Sequence, residues 1–105
     1  MSLDTIVYLN NLFDAYESLL TKRQQEVFRY YYHDDLSHQE IADILEISRA
    51  GVYDALKRTR DVLYETEEKL GFVKRLNVLI TELKDLDDPK INEIIIKFQR
   101  GGNYE

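Results

Sequence analysis

Two short amphipathic segments, separated by a three-residue break at Glu46-Ile47-Ser48, constrain this chain more than any other feature of its sequence. Ser37 is followed three residues later by Glu40, the Ser-x-x-Glu pattern of a capping box, so a helix opens at His38 and its period carries it to Leu45. Ser48 then caps a second helix beginning at Arg49. Two helices joined this tightly must cross at a steep angle, which demands a small residue at the crossing and apolar residues on both inner faces. Ala42 supplies the first; Ile41, Leu45, Ile47, Val52 and Leu56 supply the second. The pattern is that of a helix-turn-helix. The turn position often held by glycine is Glu46. A left-handed backbone there costs about 1 kcal/mol relative to Gly.

The flanking sequence is helical as well. Leu3, Ile6, Val7, Phe13, Tyr16 and Leu20, with Leu12 and Leu19 beside them, predict a first helix over residues 3–18. Thr21 with Gln24 forms another capping box and opens a helix over 22–33 that buries Val27, Phe28 and Tyr31. Nothing interrupts the helix from Arg49 before Gly71, which suits a C-cap. Phe72, Leu76, Leu79, Leu83 and Leu86 follow at spacings 4, 3, 4, 3, a heptad seam with Val73 and Ile80 beside it. Asp88 before Pro89 starts a last helix striped by Ile91, Ile94, Ile95 and Phe98 and ended by Gly101-Gly102. The reading is an all-α fold of five to six helices forming a single domain over 1–105. Its helix-turn-helix core spans 21–70, and the C-terminal helices of 71–105 are a candidate for dimerisation.

Composition narrows the functional classes. With no cysteine in 105 residues, disulfides, thiolate metal sites and cysteine nucleophiles are excluded. No apolar run approaches the ~20 residues of a membrane span, and Met1-Ser2-Leu3-Asp4 does not begin a secretion signal, so a cytoplasmic location without a membrane partner is expected. A net charge of −6 argues against a general nucleic-acid coat. Its distribution matters more: residues 61–88 hold eight acids against four bases, whereas 21–60 balance at seven of each. The acidity lies outside the presumptive recognition unit.

Arg49, Tyr53, Lys57 and Arg60, at spacings 4, 4 and 3, share a helix face. On the second helix of a helix-turn-helix this is a groove-facing strip, with Arg49 near base edges and the others bracing phosphates. An ordinary solvated face is the competing reading, and the register favours the strip. Ser48, Arg49, Ala50, Tyr53, Lys57, Arg58 and Arg60 are the candidate contacts to double-stranded DNA; Lys22, Arg23 and Gln39 could touch phosphate. Asp54, on nearly the same face, would repel phosphate unless it accepts from a cytosine amine. Tyr30-Tyr31-Tyr32 are not a stacking platform, because consecutive helical residues point about 100° apart; core and interface packing suits them better. His33 and His38 flank two aspartates but lack thiolates or a glycine-rich loop, and read as solvent-exposed residues without chemistry. No cofactor, metal or catalytic constellation stands out, and no enzyme is expected.

The span from Leu20-Thr21-Lys22-Arg23-Gln24-Gln25-Glu26-Val27-Phe28 through Ser37-His38-Gln39-Glu40-Ile41-Ala42-Asp43-Ile44-Leu45-Glu46-Ile47-Ser48 to Leu63 resembles region 4 of bacterial sigma factors, which reads a promoter element with its recognition helix. A nearer resemblance is to the YlxM family of small bacterial helix-turn-helix proteins. Asn11-Leu12-Phe13-Asp14-Ala15-Tyr16, Leu19-Leu20-Thr21, Tyr30-Tyr31-Tyr32-His33-Asp34-Asp35 and Ser48-Arg49-Ala50-Gly51-Val52-Tyr53-Asp54-Ala55-Leu56-Lys57-Arg58-Thr59 carry it, over about residues 3–70. YlxM-like proteins lie beside genes of the signal recognition particle and are thought to act in, or regulate, that pathway. The resemblance implies a DNA-binding or regulatory role linked to it. The alternative is a protein- or RNA-binding scaffold acting directly on the particle's protein or RNA. Because helix-turn-helix units usually pair to read two half-sites, a homodimer is expected.

Overall fold

The structure is a computed structural model and describes residues 2–100. Six α-helices account for most of them: α1 (Leu3–Tyr16), α2 (Lys22–Phe28), α3 (His38–Leu45), α4 (Arg49–Leu70), α5 (Phe72–Asp85) and α6 (Pro89–Gln99), with no strand among the described residues. They divide into two compact units that part between Leu70 and Gly71.

In the first unit the long α4 packs against α1, α2 and α3. Its inner face, Val52, Leu56, Thr59 and Leu63, is fully buried. The Thr59 hydroxyl donates to the Ala55 carbonyl at 2.7 Å, so burying it leaves no polar group unpaired. Each short helix is started by the cap its sequence encodes. The Thr21 hydroxyl accepts from the Gln24 N–H at 3.1 Å while the Gln24 side chain accepts from the Thr21 N–H at 2.9 Å. Ser37 and Glu40 form the same reciprocal pair. At the turn after α3, Glu46 is left-handed (φ 56°, ψ 43°), as the helix-turn-helix register requires of that position. Ala42 is buried at the crossing with Ile41, Val52 and Leu56, and Leu45 and Ile47 pack, half-buried, on that cluster.

Two expectations are corrected. The inward stripe of α1 is Leu9, Leu12, Phe13 and Tyr16, with Leu20 following beyond the helix, whereas Leu3 and Val7 are exposed. The phase explains it. At about 100° per residue, Leu3 and Val7 lie about 120° and 160° away from fully buried Leu9, and only Ile6 falls near the inner face. Secondly, the helix expected over 22–33 does not stay α-helical. α2 ends at Phe28, and Arg29–His33 form a π-helical turn, wider by one residue, with the Asp34 N–H donating to the Arg29 carbonyl at 2.9 Å. Similarly α1 ends at Tyr16 and tightens into a 3-10 turn, Glu17–Leu19. Widening the turn lets Tyr30, Tyr31 and Tyr32 all pack against the helix-turn-helix core. Phe28 and Phe13 stack beneath them, centroids 4.2 Å apart and planes within 2°.

In the second unit α5 packs on α6. Gly71 precedes α5 in the left-handed region at φ 60°. A Cβ there would meet nothing within 4 Å, so backbone conformation alone favours Gly. The Asp88 carboxylate caps α6, accepting from Lys90 N–H at 2.8 Å and from Ile91 N–H at 3.3 Å, with Pro89 in the first turn. Of the heptad seam, Leu76 and Leu83 are half-buried, while Phe72, Leu79 and Leu86 are exposed. The expected stop at Gly101-Gly102 lies outside the described residues; α6 ends at Gln99.

Candidate nucleic-acid interface

The start of α4 is built by Ser48, whose hydroxyl accepts from the Gly51 N–H at 2.9 Å and satisfies one of the free donors of the first turn. A Cβ on Gly51 would lie 3.1 Å from that hydroxyl oxygen, so Gly leaves the cap room. Ser48, Arg49, Ala50 and Tyr53 are exposed together around the N-terminus of α4; Arg49 lies only about 20° around the helix from buried Leu56, so its place in the first turn, and not an outward-facing side, leaves it accessible. Arg49 makes no hydrogen bond or ion pair among the described residues. Tyr53 is 58% exposed, with its ring edge toward His38 at 6.0 Å.

Further along α4 the strip changes character. Lys57 pairs with Asp61 at 3.1 Å and Arg58 with Asp54 at 2.8 Å, both one helical turn apart. The four side chains are half exposed or more, so these pairs are weak and open to competition by a phosphate. Arg58 lies about 140° around the helix from Tyr53, off the strip. Arg60 turns inward instead, its guanidinium donating to the Tyr32 hydroxyl at 3.2 Å. Burial raises the Tyr32 pKa above the ordinary phenol value, and this bond only partly opposes that. Arg60 therefore braces the π turn, a role its spacing did not reveal.

The other candidates are dispersed. Lys22 and Arg23 are exposed on the first turn of α2. Gln39, exposed on α3, donates to Asp43 at 2.9 Å. The histidines correct the expectation that both are simply solvent-exposed. His38 is half-buried and stacks on Tyr31, centroids 5.0 Å apart and planes within 8°. His33 is exposed, but its Nε2 lies 2.9 Å from Asn10 Oδ1 and its ring meets Phe13 and Phe28 edge-on. Among the described residues no three His, Cys, Asp or Glu side chains are grouped to hold a metal ion. No described helix is long and apolar enough to cross a membrane.

An α3–α4 pair in contact with Ala42 buried, a left-handed turn at Glu46 and an exposed start to α4 define an all-α helix-turn-helix protein. Residues 3–99 match the family UPF0122, described as "Putative helix-turn-helix protein, YlxM / p13 like". The chain is 45% identical to the UPF0122 protein of Caldanaerobacter subterraneus subsp. tengcongensis, over 81% of this chain and 73% of that one. It is 40% identical to the UPF0122 protein of a Thermoanaerobacter species, over 92% of each. It is 44% identical to that of Bacillus velezensis, over 82% of this chain and 81% of the relative. This chain belongs to the YlxM/p13-like family, described as a helix-turn-helix family.

Proposed function

We infer that this protein binds double-stranded DNA as a cytoplasmic regulator, entering the major groove with the N-terminal end of α4 in the manner of sigma region 4. The observation that carries this reading is the exposed cluster of Ser48, Arg49, Ala50 and Tyr53, with Arg49 free of any partner among the described residues. A guanidinium at that end suits a bidentate contact to guanine. Lys57 and Arg58, released from Asp61 and Asp54, contact backbone phosphate, with Lys22, Arg23 and Gln39 as further phosphate contacts and Arg60 as a support. The link to the signal recognition particle rests on the family resemblance and on no residue of the site.

A homodimer belongs to the same reading. Phe72, Leu79 and Leu86 leave an apolar stripe uncovered on α5, and a second copy presenting the same stripe would pair two recognition helices. The second reading, a scaffold for the particle's protein or RNA without DNA, is favoured by the pairing of Lys57 with Asp61 and of Arg58 with Asp54.

The test is duplex selection from random sequence, followed by a salt series. Arg49→Ala is expected to cost about 1–3 kcal/mol on the selected sequence and to relax its specificity. Lys57→Ala should weaken all duplexes alike and lower the salt slope by about one. Binding of wild type no tighter than to random duplex at low salt would overturn the DNA reading.

A further inference from the structure

An open groove of about 390 Å³ lies where the π turn meets the start of α3. Ile6, Tyr31, Tyr32 and Leu36 give it apolar walls, and Asp35 and Glu40 line it with two carboxylates. The Tyr31 and Tyr32 rings stand at 87° with centroids 4.9 Å apart, so they form an aromatic corner and not a flat stack. Both tyrosines belong to the π turn and pack against the helix-turn-helix core. Asp35 makes no hydrogen bond or ion pair among the described residues. Glu40 accepts from the Ser37 N–H at 3.0 Å, a bond that holds its pKa below the ordinary glutamate value and keeps it charged. No lysine or arginine lines the groove.

Aromatic walls with negative charge beside them suit a cation that also has apolar faces. A guanidinium satisfies both requirements, because it stacks on rings and forks onto carboxylates. A phosphate inside the groove is repelled by the two carboxylates. We propose that the groove docks an arginine-bearing segment of a partner polypeptide, with the side chain lying against the corner that Tyr31 and Tyr32 form and its guanidinium on Asp35 and Glu40. The proposal does not rest on the DNA reading: it uses the groove lined by Asp35 and Glu40, whereas the proposed base contacts lie at the start of α4.

The probe is an acetylated, amidated decapeptide alternating arginine with glycine, titrated into the isotopically labelled full chain. The matched peptide carries citrulline, the same shape without the charge. Amide shifts are expected to concentrate on Tyr31, Tyr32, Asp35, Leu36 and Glu40, and to vanish with the citrulline peptide. Asp35→Asn, which keeps a residue tolerant of the left-handed backbone at φ 56°, should weaken binding about threefold. Tyr31→Leu should weaken it by a similar, roughly threefold factor without changing charge. Glu82→Gln, which is not among the residues lining the groove, should leave it unchanged. Shifts spread over all acidic surfaces, equal binding of the citrulline peptide, or an unchanged Asp35→Asn would each overturn the proposal. So would the same shifts appearing on concentrating the chain alone, since a second copy would then be the occupant.

Discussion

The first unit buries twelve apolar side chains, from Leu9 on α1 to Leu63 on α4; the second buries Val73 and Ile95. Meanwhile Phe72, Leu79, Leu86, Ile94 and Phe98 remain two-fifths exposed or more. Both sequences are amphipathic and helical, so propensity does not separate them. The number of faces does. α4 has three helices around it, and its inner side is covered along most of its length. Two helices of about four and three turns offer each other one stripe apiece, and heptad spacing makes more apolar surface than that stripe uses. The first unit is thus built to stand by its own core, and the second to hold surface in reserve.

The largest effect expected from this contrast is in the core of the first unit. Phe28 is fully buried, stacked on Phe13 and tilted against Tyr32. Phe28→Ala should cost about 3–5 kcal/mol in urea unfolding, through lost transfer energy and the cavity left behind. A cost below about 1 kcal/mol would mean that the unit can collapse around the void. The contrast with the second unit would then fail.

A smaller effect belongs to the cap of α3. Ser37→Ala removes the acceptor for the Glu40 N–H and should cost about 1 kcal/mol. It should also change the pH dependence. The pKa of Glu40 is lowered by the backbone hydrogen bond from Ser37 first and by the Ser37 side chain second. A lowered folded-state pKa means that the stabilisation is complete above the unfolded-state value and is lost as pH falls through the folded one. Acid titration of the Glu40 carboxyl by NMR should therefore show a midpoint below the ordinary glutamate value, moving back toward it in Ser37→Ala. An unmoved midpoint would separate the cap from the charge.

The cap and the helix-turn-helix register were legible because their signals are local. Ser37 and Glu40, Thr21 and Gln24, and Asp88 and Pro89 each encode a helix start within four residues, and the structure has all three. The register marked Glu46 as the turn position often held by glycine, and the structure has it left-handed despite its unfavourable residue type. The phase of α1 was not, because apolar residues surround more of that helix than one face, and only packing decides which of them point inward. Nor was the π turn, which depends on three tyrosines meeting a core assembled from distant segments. At the candidate interface the Asp54–Arg58 and Lys57–Asp61 pairs were open to reading from their four-residue spacing. The Arg60–Tyr32 bond joins residues 28 apart and was not.

The smallest expected change in folding free energy is in the second unit, and it sharpens the contrast most. Leu79 is 51% exposed and lies one heptad from Phe72 and from Leu86 on the uncovered stripe of α5. Asp is a poorer helix former than Leu, but an exposed substitution away from caps and cores usually costs within about 0.5 kcal/mol. The Leu79→Asp chain should therefore keep its far-ultraviolet circular dichroism, and its urea midpoint should be nearly unchanged under conditions where both chains are monomeric. Assembly should respond differently. A stripe buried against its own copy would place each new carboxylate in an apolar contact near its symmetry mate, where desolvation and like-charge repulsion both oppose association. Light scattering at micromolar concentration should then give a dimer for wild type and a monomer for Leu79→Asp. A wild-type monomer would remove the second copy as the cover of the stripe. Unfolding of the variant would show that Leu79 already belongs to the core of its own chain, and that the two units differ less than their exposures indicate.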